Sequence, residues 1–263
     1  MNTISLTPMD LAIAASLVLF DAVLSVALRL NLHRQVLWAG TRMVVQLVAV
    51  GFLLRWVFAA HHPALTVLVV LVMSAIAARE IAARPERKFK GYFGLTISAT
   101  GVVIATVVTV GLALTTAIRP QPWYDPRYAI PLAGIVLGSV LNAGSLTLDV
   151  LLGDARRERS AIEAQLALGV PYRAATAPMM RNAVRRGLLP IVNQMSAAGL
   201  ITLPGIMTGQ IIAGEDPIEA VKYQILLMFL LAGASGLTSL TIAELAMRRL
   251  SDSRQRLRLD RLR

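Results

Sequence analysis

The sequence contains no cysteine, which excludes disulfides and thiolate metal sites. Charge is scarce as well: 16% of the 263 residues are charged, where soluble domains carry about a quarter. Histidine occurs only as His33, His61 and His62. Side chains of sequence neighbours seldom converge, so the adjacent pair makes a poor metal cradle, and no metal ligands are assigned. HExxH, GxSxG and GxxxxGK[ST] are all missing. "GSVLNAGS", Gly138 to Ser145, resembles a phosphate loop but lacks its lysine. These absences exclude a soluble catalytic constellation and leave no cofactor site in the chain. The protein reads as a non-enzyme, and any ATP it depends on must be bound elsewhere.

What the sequence has in quantity is apolar surface, 56% of its residues. Seven apolar runs approach the roughly 20 residues that cross a bilayer core: 11–30, 37–58, 64–78, 93–118, 129–152, 188–213 and 220–245. The expected fold is all-α, a polytopic membrane protein of about seven transmembrane helices in a single domain, residues 1–263. The opening "MNTISLTPMD" has no positive segment and Asp21 interrupts the first run, so that run reads as a retained helix rather than a cleaved signal.

The 26 Lys and Arg residues orient the spans. With alternating spans and the C-terminus in the cytoplasm, 21 lie inside and only Arg119 and Arg127 outside, while Arg42, Arg55 and Lys222 stay within spans. This bias predicts N-terminus out and C-terminus in. It also explains the net charge of +11 through the lipid bilayer, with no nucleic acid as partner. Trp123 and Tyr124 are expected at the outer interface. The basic tail, 246–263, is expected to contact lipid headgroups, with protein docking as the alternative.

One polar segment stands out, residues 153–187, with seven arginines. Ser160-x-x-Glu163 has the form of a capping box, and Gly169, Val170 and Pro171 form a stop signal. Together they predict a helix over 161–168, about 12 Å long and too short to persist without packing. A second helical piece is expected over 172–186, interrupted at Pro178 and closed by Gly187.

Polar groups within spans are costly, about 2.5–3.5 kcal/mol for a central charge, and are candidates for function. Arg42 and Gln46 share a face of the second span. Ser139, Asn142 and Asp149 form a stripe on the fifth. Asn193, Gln194 and Gln210 flank a break at Pro204 and Gly205 in the sixth. All but Asp149 are read as lining a substrate pathway, with interhelical hydrogen bonding as the bland alternative, the one favoured for Asp149 near its span end. Gly134 with Gly138, and Gly205 with Gly209, are spaced for close helix contact. Met195 and Met207 read as core filling.

In "IEAQLALG", Glu163, Ala164 and Gly169 stand at E-A-x-x-x-x-G spacing and resemble the EAA-type cytoplasmic loop of ABC-transporter permeases. Gln165 replaces that pattern's second alanine, and "LLP" at 188–190 arrives later than usual. Together with "RMVVQLVAVGFLL" (42–54), "GSVLNAGSLTLD" (138–149) and "LPGIMTGQIIAGEDPIEAVKYQI" (203–225), the chain resembles the FetB-type iron-export ABC permeases, a family with plant members linked to aluminium tolerance. The resemblance implies a permease homodimer in the plasma membrane, the inner membrane of a bacterium. It would pair with ABC ATPase subunits that bind ATP and Mg, and export iron or another metal or solute. It also implies that the 161–168 helix docks on the ATPase through Ala161, Glu163, Ala164, Gln165, Leu168 and Gly169. An ion-coupled transporter using Asp149, Arg42 and Glu244 as relays, and a membrane scaffold, are the alternatives.

Overall fold

A computed structural model describes residues 7–60, 62–122 and 125–263. His61, Trp123 and Tyr124 therefore lie outside the described residues, as does most of the opening "MNTISLTPMD". Six helices among the described residues are long and apolar enough to cross a membrane, so the chain is an all-α multi-pass membrane protein. Its residues separate into two compact units, 1–62 and 63–263.

The first unit is a helical hairpin of α1 (Pro8–Ala27) and α2 (His33–Ala60). Thr7 caps α1 in a complete box: its hydroxyl accepts from the Asp10 amide at 3.3 Å, and its own amide donates to the Asp10 carboxylate at 2.8 Å. Between the helices Arg29 and Asn31 take left-handed backbone conformations, and the Ser25 hydroxyl accepts from the Leu32 amide at 2.9 Å. Both helices are apolar around most of their circumference, and most of their large apolar side chains are exposed. That is the surface of helices solvated by lipid.

The second unit contains α3 (Pro63–Ala83), α4 (Phe93–Leu112) with a π-helical turn over Ala113–Ile118, α5 (Pro126–Arg157), α6 (Arg159–Ala167), α7 (Tyr172–Ala197), α8 (Gly205–Ile212) and α9 (Pro217–Arg249). α5 is central and packs against α3, α4, α7 and α9. Its small and branched residues Ala133, Val136, Val140, Leu151 and Ala155 are completely buried. Of the expected pairs only Gly134 is closely approached, with Met73 3.3 Å from where its Cβ would stand, and the tightest approaches among the bundle helices are at other glycines. A Cβ on Gly101 would lie 2.7 Å from the Ile242 side chain, and one on Gly144 would lie 2.9 Å from Ile242 and 3.0 Å from Ile81. Gly138, Gly205 and Gly209 have open space where a Cβ would stand.

Three expectations about this unit are corrected. The expected sixth span, 188–213, is not one helix. α7 begins at Tyr172, passes through Pro178, Gly187 and Pro190, and ends at Ala197. A turn pivoting on Gly199, with φ of +83°, then leads to the short α8. Gly187 therefore closes nothing, and the break starts six residues before Pro204, at Ala198. Within a packed bundle, neighbouring helices make mid-helix proline tolerable.

The basic tail is folded rather than splayed. Arg263 and Lys88 exchange backbone hydrogen bonds at 2.8 and 3.3 Å, and the Lys90 amide donates to the Arg261 carbonyl at 2.8 Å. The tail is thereby tied to the α3–α4 loop. Asp252 organises its first turn by accepting from the amides of Arg254 and Arg256, both at 3.0 Å. The Arg256 amide and guanidinium hold the Asp252 carboxyl down to about 2. The bonds of this lowered carboxylate are complete above its ordinary value near 3.8 and are lost only as pH falls toward 2. Asp252→Ala is expected to speed trypsin cleavage after Arg254 and Arg256 at pH 8. Cleavage at the parent rate would show that backbone pairing alone holds the turn.

Candidate functional site

α6 is a nine-residue helix, roughly 14 Å long, between two much longer ones. α5 continues to Arg157, and only Glu158 separates it from α6. α6 therefore starts at Arg159 with Glu158 as its N-cap: Glu158 donates to the Asp154 carbonyl at 2.8 Å and accepts from the Ile162 amide at 3.0 Å. The expected Ser160 capping box is absent because the helix begins at Arg159 and Ser160 lies inside its first turn, and Glu163 instead accepts from the Arg159 Nε at 2.8 Å. The stop signal forms as read. Gly169 is left-handed at φ +86°, and the Val170 amide reaches back to the Gln165 carbonyl at 3.1 Å.

Ile162 is 2% exposed and Leu166 packs beside it, which places one face of α6 against the bundle. The other face carries Ala161, Ala164, Gln165 and Leu168 at helical spacing, all exposed, with Glu163 and Gly169 exposed at its margins. Leu168 is 84% exposed, a large apolar side chain with nothing over it.

A junction that the sequence reading missed ties the end of α5, just before α6, to α7. Asp154, buried near the end of α5, accepts from Asn182 of α7 at 2.7 Å and from Arg157 at 2.7 Å. Asp154 stands three residues before Arg157, a spacing suggestive of a pair, but nothing local points to Asn182. Deeper in the bundle, Thr147 of α5 donates to Ser239 of α9 at 3.0 Å, and Gly187 of α7 lies directly against both hydroxyls.

The expected pathway residues divide. Arg42 and Gln46 lie on α2, exposed, in the first unit. In the second unit Ser139, Asn142 and Gln194 come together around a cavity of about 220 Å3, which Gly187, Pro190 and Ser235 also line. Ser139 and Ser235 are hydrogen bonded at 2.8 Å across it. Asn193 is exposed and does not line this cavity. Pro204 and Gly205 open α8, and the half-buried Gln210 leaves its Oε1 without a hydrogen-bond partner. Asp149 accepts from the Glu86 amide at 3.0 Å, a structural tie to the α3–α4 loop. No three His, Asp or Glu side chains converge as a metal cradle among the described residues.

The profile of the uncharacterised protein family UPF0014 matches residues 8–251. The chain belongs to the UPF0014 family. A UPF0014 membrane protein of Synechocystis is 39% identical to it over 228 residues, 87% of each chain. The probable iron export permease protein FetB of Escherichia coli is 32% identical over 260 residues, 98% of this chain and 97% of FetB. The protein ALUMINUM SENSITIVE 3 of Arabidopsis thaliana is 30% identical over 230 residues, 88% of this chain and 82% of the other. No solved structure matches the chain. The UPF0014 match spans both units, so the α1–α2 hairpin belongs to the family's common architecture as much as the larger bundle does.

Proposed function

We propose that this chain is the membrane-spanning permease subunit of an ABC transporter that exports iron or another metal. A separate ATPase subunit, binding ATP and Mg, would dock on α6. The observation that carries the reading is α6 itself: a short helix anchored by Ile162 that presents Ala161, Ala164, Gln165 and Leu168 uncovered. The similarity to FetB supplies the transport class, and small side chains flanked by one exposed leucine suit entry into a groove on a partner. α7 follows α6 after a short turn and runs unbroken to Gln194 at the Ser139 cavity. A helix of its length, about 39 Å, would carry displacement at α6 to the cavity as a rigid element. In this reading α7 crosses as well as the six apolar helices, so the N-terminus is outside and the C-terminus in the cytoplasm, and two copies form the permease in the plasma membrane.

Asp149 and Glu244, the carboxylates an ion relay would use, are already engaged by the Glu86 amide and by two arginines. Nothing specific favours that alternative. The decisive experiment co-expresses the chain with an ATPase encoded beside it and purifies through a tag on the permease. Co-purification, with ATP hydrolysis stimulated by iron, is expected. Transport that follows a proton gradient with no ATPase bound would overturn the reading.

A further inference from the structure

A groove of about 1060 Å3 runs between α7 and the C-terminal half of α9, and none of the expected site residues lines it. The two helices are antiparallel here, since the Tyr172 hydroxyl donates to the Met247 carbonyl at 3.2 Å while Gly187 lies against Ser239. α7 offers one face to the groove, turn by turn, through Arg173, Ala177, Arg181, Arg185, Leu188 and Val192. α9 supplies Leu240, Glu244 and Arg248 from the other side. The lining is sorted along its length. Arginines gather toward the start of α7, and Leu188, Val192 and Leu240 form the far end. Met180 and Val184 extend the apolar floor beneath the arginines. Beyond Arg185 the apolar lining runs to Val192, roughly 10 Å, within one leaflet of a hydrocarbon core about 30 Å thick.

The charge in the groove is unbalanced. Glu244 is shared by Arg173 at 3.0 Å and Arg248 at 2.7 Å, and Asp252 at the mouth is already held by Arg256 at 2.8 Å. Arg181 and Arg185 are exposed and have no carboxylate partner among the described residues. Two guanidiniums without counter-ions thus stand at one end of an open apolar trough. A ligand that satisfies both features carries an anionic phosphate at one end and hydrocarbon at the other. Guanidiniums make charge-assisted, bidentate hydrogen bonds to phosphate oxygens, and acyl chains in the trough remove its apolar surface from water. A second copy of this chain is a poor occupant, because a two-fold contact through this face would bring one concave surface with excess positive charge against its own copy.

We propose that the α7–α9 groove is a binding site for an anionic phospholipid, with the headgroup phosphate on Arg181 and Arg185 and the acyl chains along Leu188, Val192 and Leu240. The site is separate from α6 and the Ser139 cavity, and the proposal stands whether or not the transport reading holds. Native mass spectrometry of the detergent-purified full chain, supplied with phosphatidylglycerol or phosphatidylcholine, tests it. Retention of phosphatidylglycerol over phosphatidylcholine is expected, falling about thirtyfold in Arg181→Gln/Arg185→Gln, given the contribution of each basic residue to headgroup binding. Arg156→Gln/Arg186→Gln removes the same charge outside the groove and should retain lipid like the parent. Equal loss in both double variants, equal retention of the two lipids, or a groove variant that changes only the oligomeric mass would each overturn the proposal. The last of these would reassign the groove to contact between copies.

Discussion

Ala164→Arg is expected to abolish ATP-driven transport while leaving the permease as stable as the parent. Ala164 is exposed on a helix whose packing is supplied by Ile162 and Leu166 on the opposite face. Arginine is a good helix former, and substitutions at exposed positions usually change stability by less than about 0.5 kcal/mol. The thermal midpoint in detergent should therefore barely move. If an ATPase receives this face in a groove, a long cation there introduces both a clash and an unpaired charge, and association should weaken at least tenfold, about 1.4 kcal/mol. The readouts are co-purification of the ATPase and export from proteoliposomes. Ile162→Ala is the informative contrast, because it removes the buried anchor of the same helix. It should lower stability by about 2–5 kcal/mol and impair coupling with it. Transport by Ala164→Arg at the parental rate would remove α6 from the docking role.

The parts of the chain that were legible in the sequence are those governed by composition and local grammar. Apolar run length located six of the spans, because lipid solvation acts on each helix alone. The Gly169 stop was legible because a left-handed residue there is a local requirement, met by glycine at little cost. The misread features depend on residues far apart in sequence. Ser160 and Glu163 carry a capping signature, but α5 runs almost directly into α6, whose N-cap is Glu158, so Ser160 falls inside the first turn. Gly187, after a run of arginines, looks like a helix terminus, and only the presence of Thr147 and Ser239 opposite it reveals a packing contact. The α7–α9 groove was hidden for a related reason. Seven arginines in one polar segment count equally toward topology, and sequence alone does not separate Arg173, paired with Glu244, from Arg181 and Arg185. In the polar cavity, Ser139, Asn142 and Gln194 were found by their cost in a membrane, but Ser235 was passed over as one more small residue in an apolar helix.

Gly187 carries the second large prediction. A Cβ at this position would collide with the Thr147 hydroxyl, and it would stand 2.7 Å from the Ser239 hydroxyl and 2.9 Å from the Ala143 carbonyl. The hydroxyls can rotate, at the expense of their mutual 3.0 Å hydrogen bond, but the carbonyl belongs to the backbone of α5 and cannot. Gly187→Ala is therefore expected to cost about 1–3 kcal/mol through overpacking, read as a lowered thermal midpoint in detergent. Gly187→Leu should not yield a folded chain, because no rotamer escapes both neighbouring helices. Thr147→Ala removes the nearest obstructing atom, so Gly187→Ala should be less harmful in that background, with a coupling of about 1 kcal/mol in a double-mutant cycle. Gly187→Ala with parental stability, or strictly additive effects, would contradict the packing. Gly187 also lines the Ser139 cavity, between α6 and Gln194 on the unbroken α7. A folded Gly187→Ala variant that moves α7 outward should therefore alter transport more than ATPase binding. Ala164→Arg is expected to show the reverse order of effects, loss of binding first, so the pair separates docking at α6 from transmission along α7.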